Sequence, residues 1–299
     1  MSVINNHILL QAYGNEGIIA ECRLALMELE KHNDPGTIKV VLYTDNPAAF
    51  EKELDLFDHK EIRLISFDEI KEWKGRINFV HRVKIRILQD FFSKHTGNVI
   101  YLDTDTVCLQ PLDDIFKNIS GGQLYMHLNE GKIKDKKDIE ARKWFRFFRN
   151  SDLKKLALEN VEETFMMNAG VIGMNDTHAD LLDKVLAITD AIYPLFPRHT
   201  VEQFAFSYVF QKNGNVFSAE KEIYHYWDLK EYRVFLQEFF KRTGGMSSNE
   251  QRNALMDFSP VAIMEEKSKY KNAFFLSKLF KKKWNIDRFI DTIKMSNNK

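Results

Sequence analysis

Val99-Ile100-Tyr101-Leu102-Asp103-Thr104-Asp105 is a short apolar run, partly β-branched, that ends in two carboxylates two positions apart. An apolar run of this length reads as a strand buried on both faces of a parallel sheet. Side chains alternate along a strand, so Asp103 and Asp105 leave its end on the same side. Open α/β sheets bind ligands beyond the carboxyl ends of their strands. Two hard oxygen donors held there suit Mg²⁺ or Mn²⁺, which complete their shells with phosphate and water. The stretch therefore predicts a metal-dependent enzyme acting on a phosphate-bearing ligand.

Upstream, strand and helix patterns alternate, as stacked βα units on a parallel sheet require. Residues 7–12 read as a strand, and residues 18–31 as a helix with Ile18, Cys22, Ala25, Leu26 and Leu29 on one face. Residues 38–43 form a β-branched strand that stops at the turn signal Thr44-Asp45-Asn46-Pro47. A further strand spans 61–67, and a helix spans 80–92 with Val80, Val83, Ile87, Leu88 and Phe91 inward. Lys84 falls on that inward face, so it must pair with a carboxylate or reach a phosphate. Arg82 and Arg86 share a neighbouring face, where solvation is the plainer reading.

Downstream the pattern is less regular. Residues 123–128 read as a strand, and 129–150 as a charged loop entering a helix rich in aromatics (Trp144, Phe145, Phe147, Phe148). That helix fits either an acceptor-side lid or packing on the core. An apolar, strand-like segment at 166–174 is interrupted by Asn168, Ala169 and Gly170. Helices follow at 179–192 and 201–211, then an aromatic strand at 222–227. Thr243-Gly-Gly-Met-Ser-Ser-Asn249 has linker composition and divides the chain into residues 1–242 and a helical C-terminal segment, 243–299.

Composition excludes several classes. At 299 residues, with 29% charged and 44% hydrophobic residues, the chain is an ordinary globular protein. Lys+Arg and Asp+Glu both number 43, so no global charge favours a nucleic acid polymer. From Pro260 onward ten Lys/Arg stand against four Asp/Glu. Residues 267–284, with Phe274, Phe275, Leu279 and a lysine cluster at 281–283, fit two readings. One is peripheral contact with an anionic membrane; the other is a terminal helix docked on the core with its lysines in water. Cys22 and Cys108 read as buried free thiols in a reducing compartment. The N-terminal sequence has no basic start or cleavage site of a signal peptide, and no apolar run reaches membrane-spanning length, so the expectation is a cytoplasmic protein.

Four segments in order resemble the nucleotide-diphospho-sugar transferases of the GT-A fold, and most of all glycosyltransferase family 8 and its bacterial relatives. They are His81-Arg-Val-Lys84-Ile-Arg86, Tyr101-Leu-Asp103-Thr-Asp105, Met167-Asn168-Ala169-Gly170-Val171 and Ile223-Tyr-His225-Tyr226, with Glu202-Gln203 a fifth. The resemblance covers about residues 7–232. It implies an α/β fold with a mixed, mainly parallel sheet flanked by helices. It implies transfer of a sugar from a nucleotide-diphosphate donor, UDP above all, with retained anomeric configuration, to a saccharide or lipid-linked acceptor, as in polysaccharide biosynthesis.

The site residues follow from the same resemblance. Asp103, Asp105 and His225 would hold Mn²⁺ or Mg²⁺, and Lys230 would grip the donor phosphate, although the run Trp227-Asp228-Leu229-Lys230-Glu231-Tyr232 lacks the family's usual Gly and Pro-Trp. One basic residue of the helix at 80–92, Lys84 ahead of Arg86, would serve the donor. Thr104 and the segment Asn168, Ala169 and Gly170 would line the nucleotide sugar. Glu202 and Gln203, with Asn168, would orient the sugar or stabilise its cationic charge, Glu202 standing where Asp is more usual. The loop Ala12-Tyr13-Gly14-Asn15 would contact base and ribose, with Tyr13 stacking on the base.

Two rivals remain at this point. Asp103-Thr-Asp105-Thr-Val107 also fits the nucleophile motif of a haloacid dehalogenase-like phosphatase, with Asp103 as nucleophile and residues 174–180 imitating its second acidic motif. The other rival is a relative that binds nucleotide sugars without turning them over.

Overall fold

The structure is a computed structural model that describes residues 5–152, 156, 158–272 and 284–293. In chain order it comprises β1 (Asn6–Ala12), α1 (Glu16–His32), β2 (Lys39–Thr44), α2 (Glu51–Leu54), β3 (His59–Leu64), α3 (Phe67–Trp73), α4 (Arg82–Phe92), β4 (Asn98–Leu102) and β5 (Thr106–Cys108). Then come α5 (Asp113–Ser120), β6 (Leu124–Met126), β7 (Asn129–Lys132), α6 (Ile139–Asn150), β8 (Phe165–Met167), β9 (Val171–Asn175), α7 (Leu181–Ile192) and α8 (Val201–Asn213). The last are β10 (Val216–Ser218), β11 (Ile223–His225), α9 (Tyr232–Arg242), α10 (Ser248–Leu255), α11 (Pro260–Lys271) and α12 (Asp287–Ile290).

Seven strands form the central sheet in the order β10-β6-β9-β4-β1-β2-β3. β4, β1, β2 and β3 run parallel, while β9 lies antiparallel between β4 and β6. The expected mixed, mainly parallel sheet is what the chain forms. Alternation along the strands builds two apolar layers. Leu9, Val41, Tyr43, Val99 and Tyr101 face α4, α7 and α8, whereas Ile8, Leu10, Val40, Leu42 and Ile100 face α1 and α5. Every residue of β4 is buried, which explains the unbroken apolar run from Val99 to Leu102.

α1 is buried on two sides, more than the single stripe read from sequence. Its outer residues Ala20, Leu24 and Met27 meet Phe235, Leu236, Phe239 and Phe240 of α9 in a third cluster that also holds Leu255, Ile263, Ile286 and Ile293. Residues 243–247 form a packed turn into α10: Thr243 is fully buried and accepts from Gln251 through its backbone oxygen (2.8 Å), and Ser247 and Glu250 form a reciprocal cap.

Three sequence readings change. Val80, expected inward, is exposed, because α4 starts only at Arg82 and the apolar period does not reach back to it. Phe67 belongs to α3 rather than to a strand, since Ser66 and Glu69 cap that helix. Residues 129–132 form β7, paired with β8 across an irregularity between Asn129 and Gly131 that hides the strand in a polar sequence. The segment 267–284 is described only at 267–272 and 284, where Lys267 is buried with its Nζ 2.7 Å from Glu231; residues 273–283 lie outside the described residues. Among the described residues no helix is long and apolar enough to cross a membrane. Cys22 and Cys108 are free and buried, as expected.

The aromatic helix α6 packs instead of forming an open lid. Trp144 is fully buried between Phe148 (5.2 Å) and Phe204 (4.8 Å), and its indole N–H donates to Thr200 Oγ1 (3.1 Å). Trp144→Ala is expected to cost about 3–5 kcal/mol of folding stability, read by urea unfolding.

Candidate active site

β4 delivers Asp103 to the middle of the sheet at its carboxyl end. The Asp103 N–H donates to Gly170 O (2.9 Å), and Thr106 Oγ1 donates to Asp103 O (2.7 Å), which turns the chain into β5. β5 pairs antiparallel with β11, bringing Thr106 opposite His225. The Tyr226 N–H donates to Asp105 O (3.0 Å). Two strands far apart in sequence thus set the imidazole of His225 against the Asp105 carboxylate.

Two hydrogen bonds fix the orientation of the His225 ring. Asn168 Oδ1 accepts from the Gly170 N–H (3.0 Å), so the amide oxygen faces Gly170 and His225. His225 Nδ1 lies 2.8 Å from that same oxygen and donates to it, while Nε2 donates to Asp105 Oδ1 at 3.0 Å. Burial by itself lowers the His225 pKa, but the Asp105 hydrogen bond outweighs it and the pKa stands above its ordinary value. Burial would raise Asp105, yet His225 holds that carboxyl below its usual range.

Asp103, Asp105 and His225 each offer a ligand atom, all within 4.8 Å of one another, and among the described residues they form the one such group. Two carboxylates and an imidazole whose second nitrogen is fixed by an amide fit a divalent cation of the Mn²⁺ or Mg²⁺ kind. Gly170 is small because the ring lies against it: a Cβ there would fall 2.2 Å from His225 Nδ1.

Lys84, from the first turn of α4, is the buried cation under this group. Its Nζ lies 3.0 Å from Asp103 Oδ2, 2.9 Å from Glu202 Oε1 and 2.7 Å from Ala169 O. Burial by itself depresses the ammonium, but Asp103 and Glu202 more than offset that, so its pKa is raised. Tyr101 OH donates to the other oxygen of Asp103 (2.9 Å).

At the first turn of α8, Glu202 is spent on Lys84, while Gln203 Nε2 donates to Glu130 Oε2 (2.8 Å). Glu130 Oε1 accepts from Asn168 Nδ2 (3.3 Å). The structure therefore joins Asp103, Asp105, His225, Asn168, Ala169, Gly170, Lys84, Glu202 and Gln203 in one connected set. Thr104 is buried between the two aspartates.

The remaining expected residues sit further out. Tyr13 is half-buried, and burial, with Asp103 and Asp45 nearby, pushes its hydroxyl up to about 12. Ala12 is fully buried, and Asn15 caps α1 by accepting from the Gly17 N–H (2.7 Å). The loop between them is tied down where the Gly14 N–H donates to Asp45 Oδ2 (2.9 Å). Arg86 is not brought to the carboxylates; it donates to Gln89 Oε1 (2.6 Å). Lys230 is exposed in the turn before α9.

Four residues escaped the sequence reading. Glu130 lies within β7, a short polar strand with no alternation to mark it. His127 lies 5.4 Å from His225, ring edge to face, and burial with that neighbour lowers its pKa to about 4. Glu21 is 1% exposed on α1, and burial raises its carboxyl to about 7 despite Arg233. Arg233, from the first turn of α9, approaches both Glu21 (2.7 Å) and Asp105 (3.9 Å).

With this geometry in place, comparison with solved structures identifies the fold. The chain is similar to the bifunctional glycosyltransferase WbbM at a TM-score of 0.50 and 14% identity, over 71% of this chain and 38% of that one. It is similar to the glycosyltransferase GlyE of Streptococcus pneumoniae TIGR4 at a TM-score of 0.50 and 12% identity, over 86% of this chain and 64% of that one. The chain thus spans less than two thirds of either neighbour's length. At these identities the likeness concerns the fold, and that fold is the GT-A α/β architecture expected from the sequence. No protein-family model matches the sequence, and no curated protein matches it.

Proposed function

We propose that this chain is a glycosyltransferase that moves a sugar from a nucleotide-diphosphate donor, UDP-linked, to a saccharide or lipid-linked acceptor, with retained configuration and with Mn²⁺ or Mg²⁺ bound. The convergence of Asp103, Asp105 and His225 at the carboxyl end of the central strand carries this reading. A divalent cation held by those three residues would neutralise the charge that grows on the departing nucleoside diphosphate.

The protein's own groups supply the rest. Lys84 and Tyr101 fix the Asp103 carboxylate from below, so its orientation is set before any ligand arrives. Asn168 orients His225 and leaves its amide nitrogen towards Glu130, and Gln203 reaches the same carboxylate. These amides form a polar wall that can orient sugar hydroxyls. Glu202, neutralising Lys84, stabilises the cluster and is not a free nucleophile. Tyr13, on the loop after β1, offers a ring for the base.

The phosphatase reading loses its support. Asp176, of the second acidic motif, accepts from the Gly97 N–H (3.0 Å) beside the start of β4, at the opposite end of the strand from Asp103. Screening nucleotide sugars with Mn²⁺ by thermal shift and by release of nucleoside diphosphate tests the proposal. A UDP-sugar should stabilise the fold and turn over only with metal, and Asp105→Asn should reduce turnover by at least about 100-fold, a loss of transition-state stabilisation of about 3 kcal/mol. Release of inorganic phosphate from a phosphomonoester, with no response to any nucleotide sugar, would refute it.

A further inference from the structure

Resting on the nucleotide-sugar reading, we propose that Arg233, clamped from behind by Glu21, is the cation that receives the donor's diphosphate beside the metal group. The cations near the site can be taken in turn. Lys84 already faces three oxygens, as many as an ammonium can serve. Arg82 is committed to Asp190 and Trp73 O, and Arg86 to Gln89. Lys230 is exposed and makes no side-chain hydrogen bond or ion pair among the described residues. Arg233 alone of these combines proximity with open donors.

Its placement is held from two sides. Nε lies 2.7 Å from Glu21 Oε1, a carboxylate 1% exposed, and the side chain runs along α1, where a Cβ on Gly17 would sit 3.3 Å from Arg233 Cβ. Nη2 points to Asp105 Oδ2 at 3.9 Å, too far for a hydrogen bond, on the carboxylate oxygen that His225 does not occupy. The side chain remains 36% exposed, so its distal nitrogens reach open space next to the metal ligands. A planar guanidinium there matches two phosphate oxygens at once. Glu21 acts as a positioning residue: it buries a counter-charge that orients the guanidinium without touching the ligand.

The test is calorimetric titration with UDP in the presence of Mn²⁺, and with Mn²⁺ alone. Because Arg233→Ala strands the buried Glu21 carboxylate, Arg233→Ala is also made on a Glu21→Gln background and compared with Glu21→Gln. UDP affinity is expected to fall about tenfold or more in both Arg233→Ala proteins. Arg233→Lys should recover part of it, and Mn²⁺ alone should bind every variant at least as tightly as the parent. Unchanged UDP affinity, or an equal loss of Mn²⁺ binding, overturns the assignment of Arg233. A parent protein that binds Mn²⁺ but no UDP overturns the nucleotide-sugar reading and this one with it.

Discussion

Gly170→Ala is expected to weaken Mn²⁺ binding by about 10- to 100-fold although residue 170 offers the ion no ligand atom. A methyl group there would lie 2.2 Å from His225 Nδ1, 2.4 Å from Cε1 and 2.9 Å from Cγ. If the ring moves, it loses Asn168, which orients it, and leaves Asp105. If the loop moves instead, Gly170 O carries Asp103 with it through the Asp103 N–H. Either relief spoils the convergence of the three donors, and overpacking costs about 1–3 kcal/mol of stability as well. Metal titration beside a urea melt separates the two effects. An alanine variant that binds Mn²⁺ like the parent would show that His225 is not held where Gly170 touches it.

Lys84→Ala is expected to be the most destabilising single change at the site, costing about 3–5 kcal/mol because it leaves the buried Glu202 carboxylate, and the partly buried Asp103, without their cation. Asp103 and Glu202 both rely on Nζ, and Lys84 itself is 2% exposed. Lys84→Met, which keeps the aliphatic stem, should remain severely destabilised if charge pairing dominates, whereas it should recover most of the stability if packing does. Replacing Glu202 with Gln on top of Lys84→Met removes one of the stranded charges and should restore part of the loss. Chemical denaturation measures all three. A cost below about 1 kcal/mol for Lys84→Ala would mean that the ammonium behaves like an exposed salt-bridge partner.

The parts of this site that sequence revealed share a cause. Asp103 and Asp105 end an unbroken apolar strand, and Lys84 breaks an apolar helix face; both are signals written in neighbouring residues. Asn168, Gly170 and His225 were recognisable through an ordered resemblance, while the reason Gly170 must be small, a ring lying against it, needed the fold. Glu21 and Arg233 give no such local signal. Their pairing exists only because α1 packs on α9, and neither residue carries a mark of it in its own stretch of sequence. Glu130 was hidden for a related reason. β7 is polar, short and irregular, so its pairing with β8, which turns Glu130 towards Asn168 and Gln203, leaves no alternation to detect. The error at Val80 is of the opposite kind: a periodic pattern extended beyond the first residue that is helical.

Pulsed electron paramagnetic resonance of the Mn²⁺-loaded protein examines the metal group directly, because the ion reports the nuclei bound to it. One ion per chain should bind and show hyperfine coupling to a single imidazole nitrogen; that coupling should vanish in His225→Gln, and the ion itself should be lost in Asp105→Asn. A bound ion with no imidazole coupling, or one retained at full affinity after Asp105→Asn, would place the metal away from the tip of the central strand and contradict the assignment of this site.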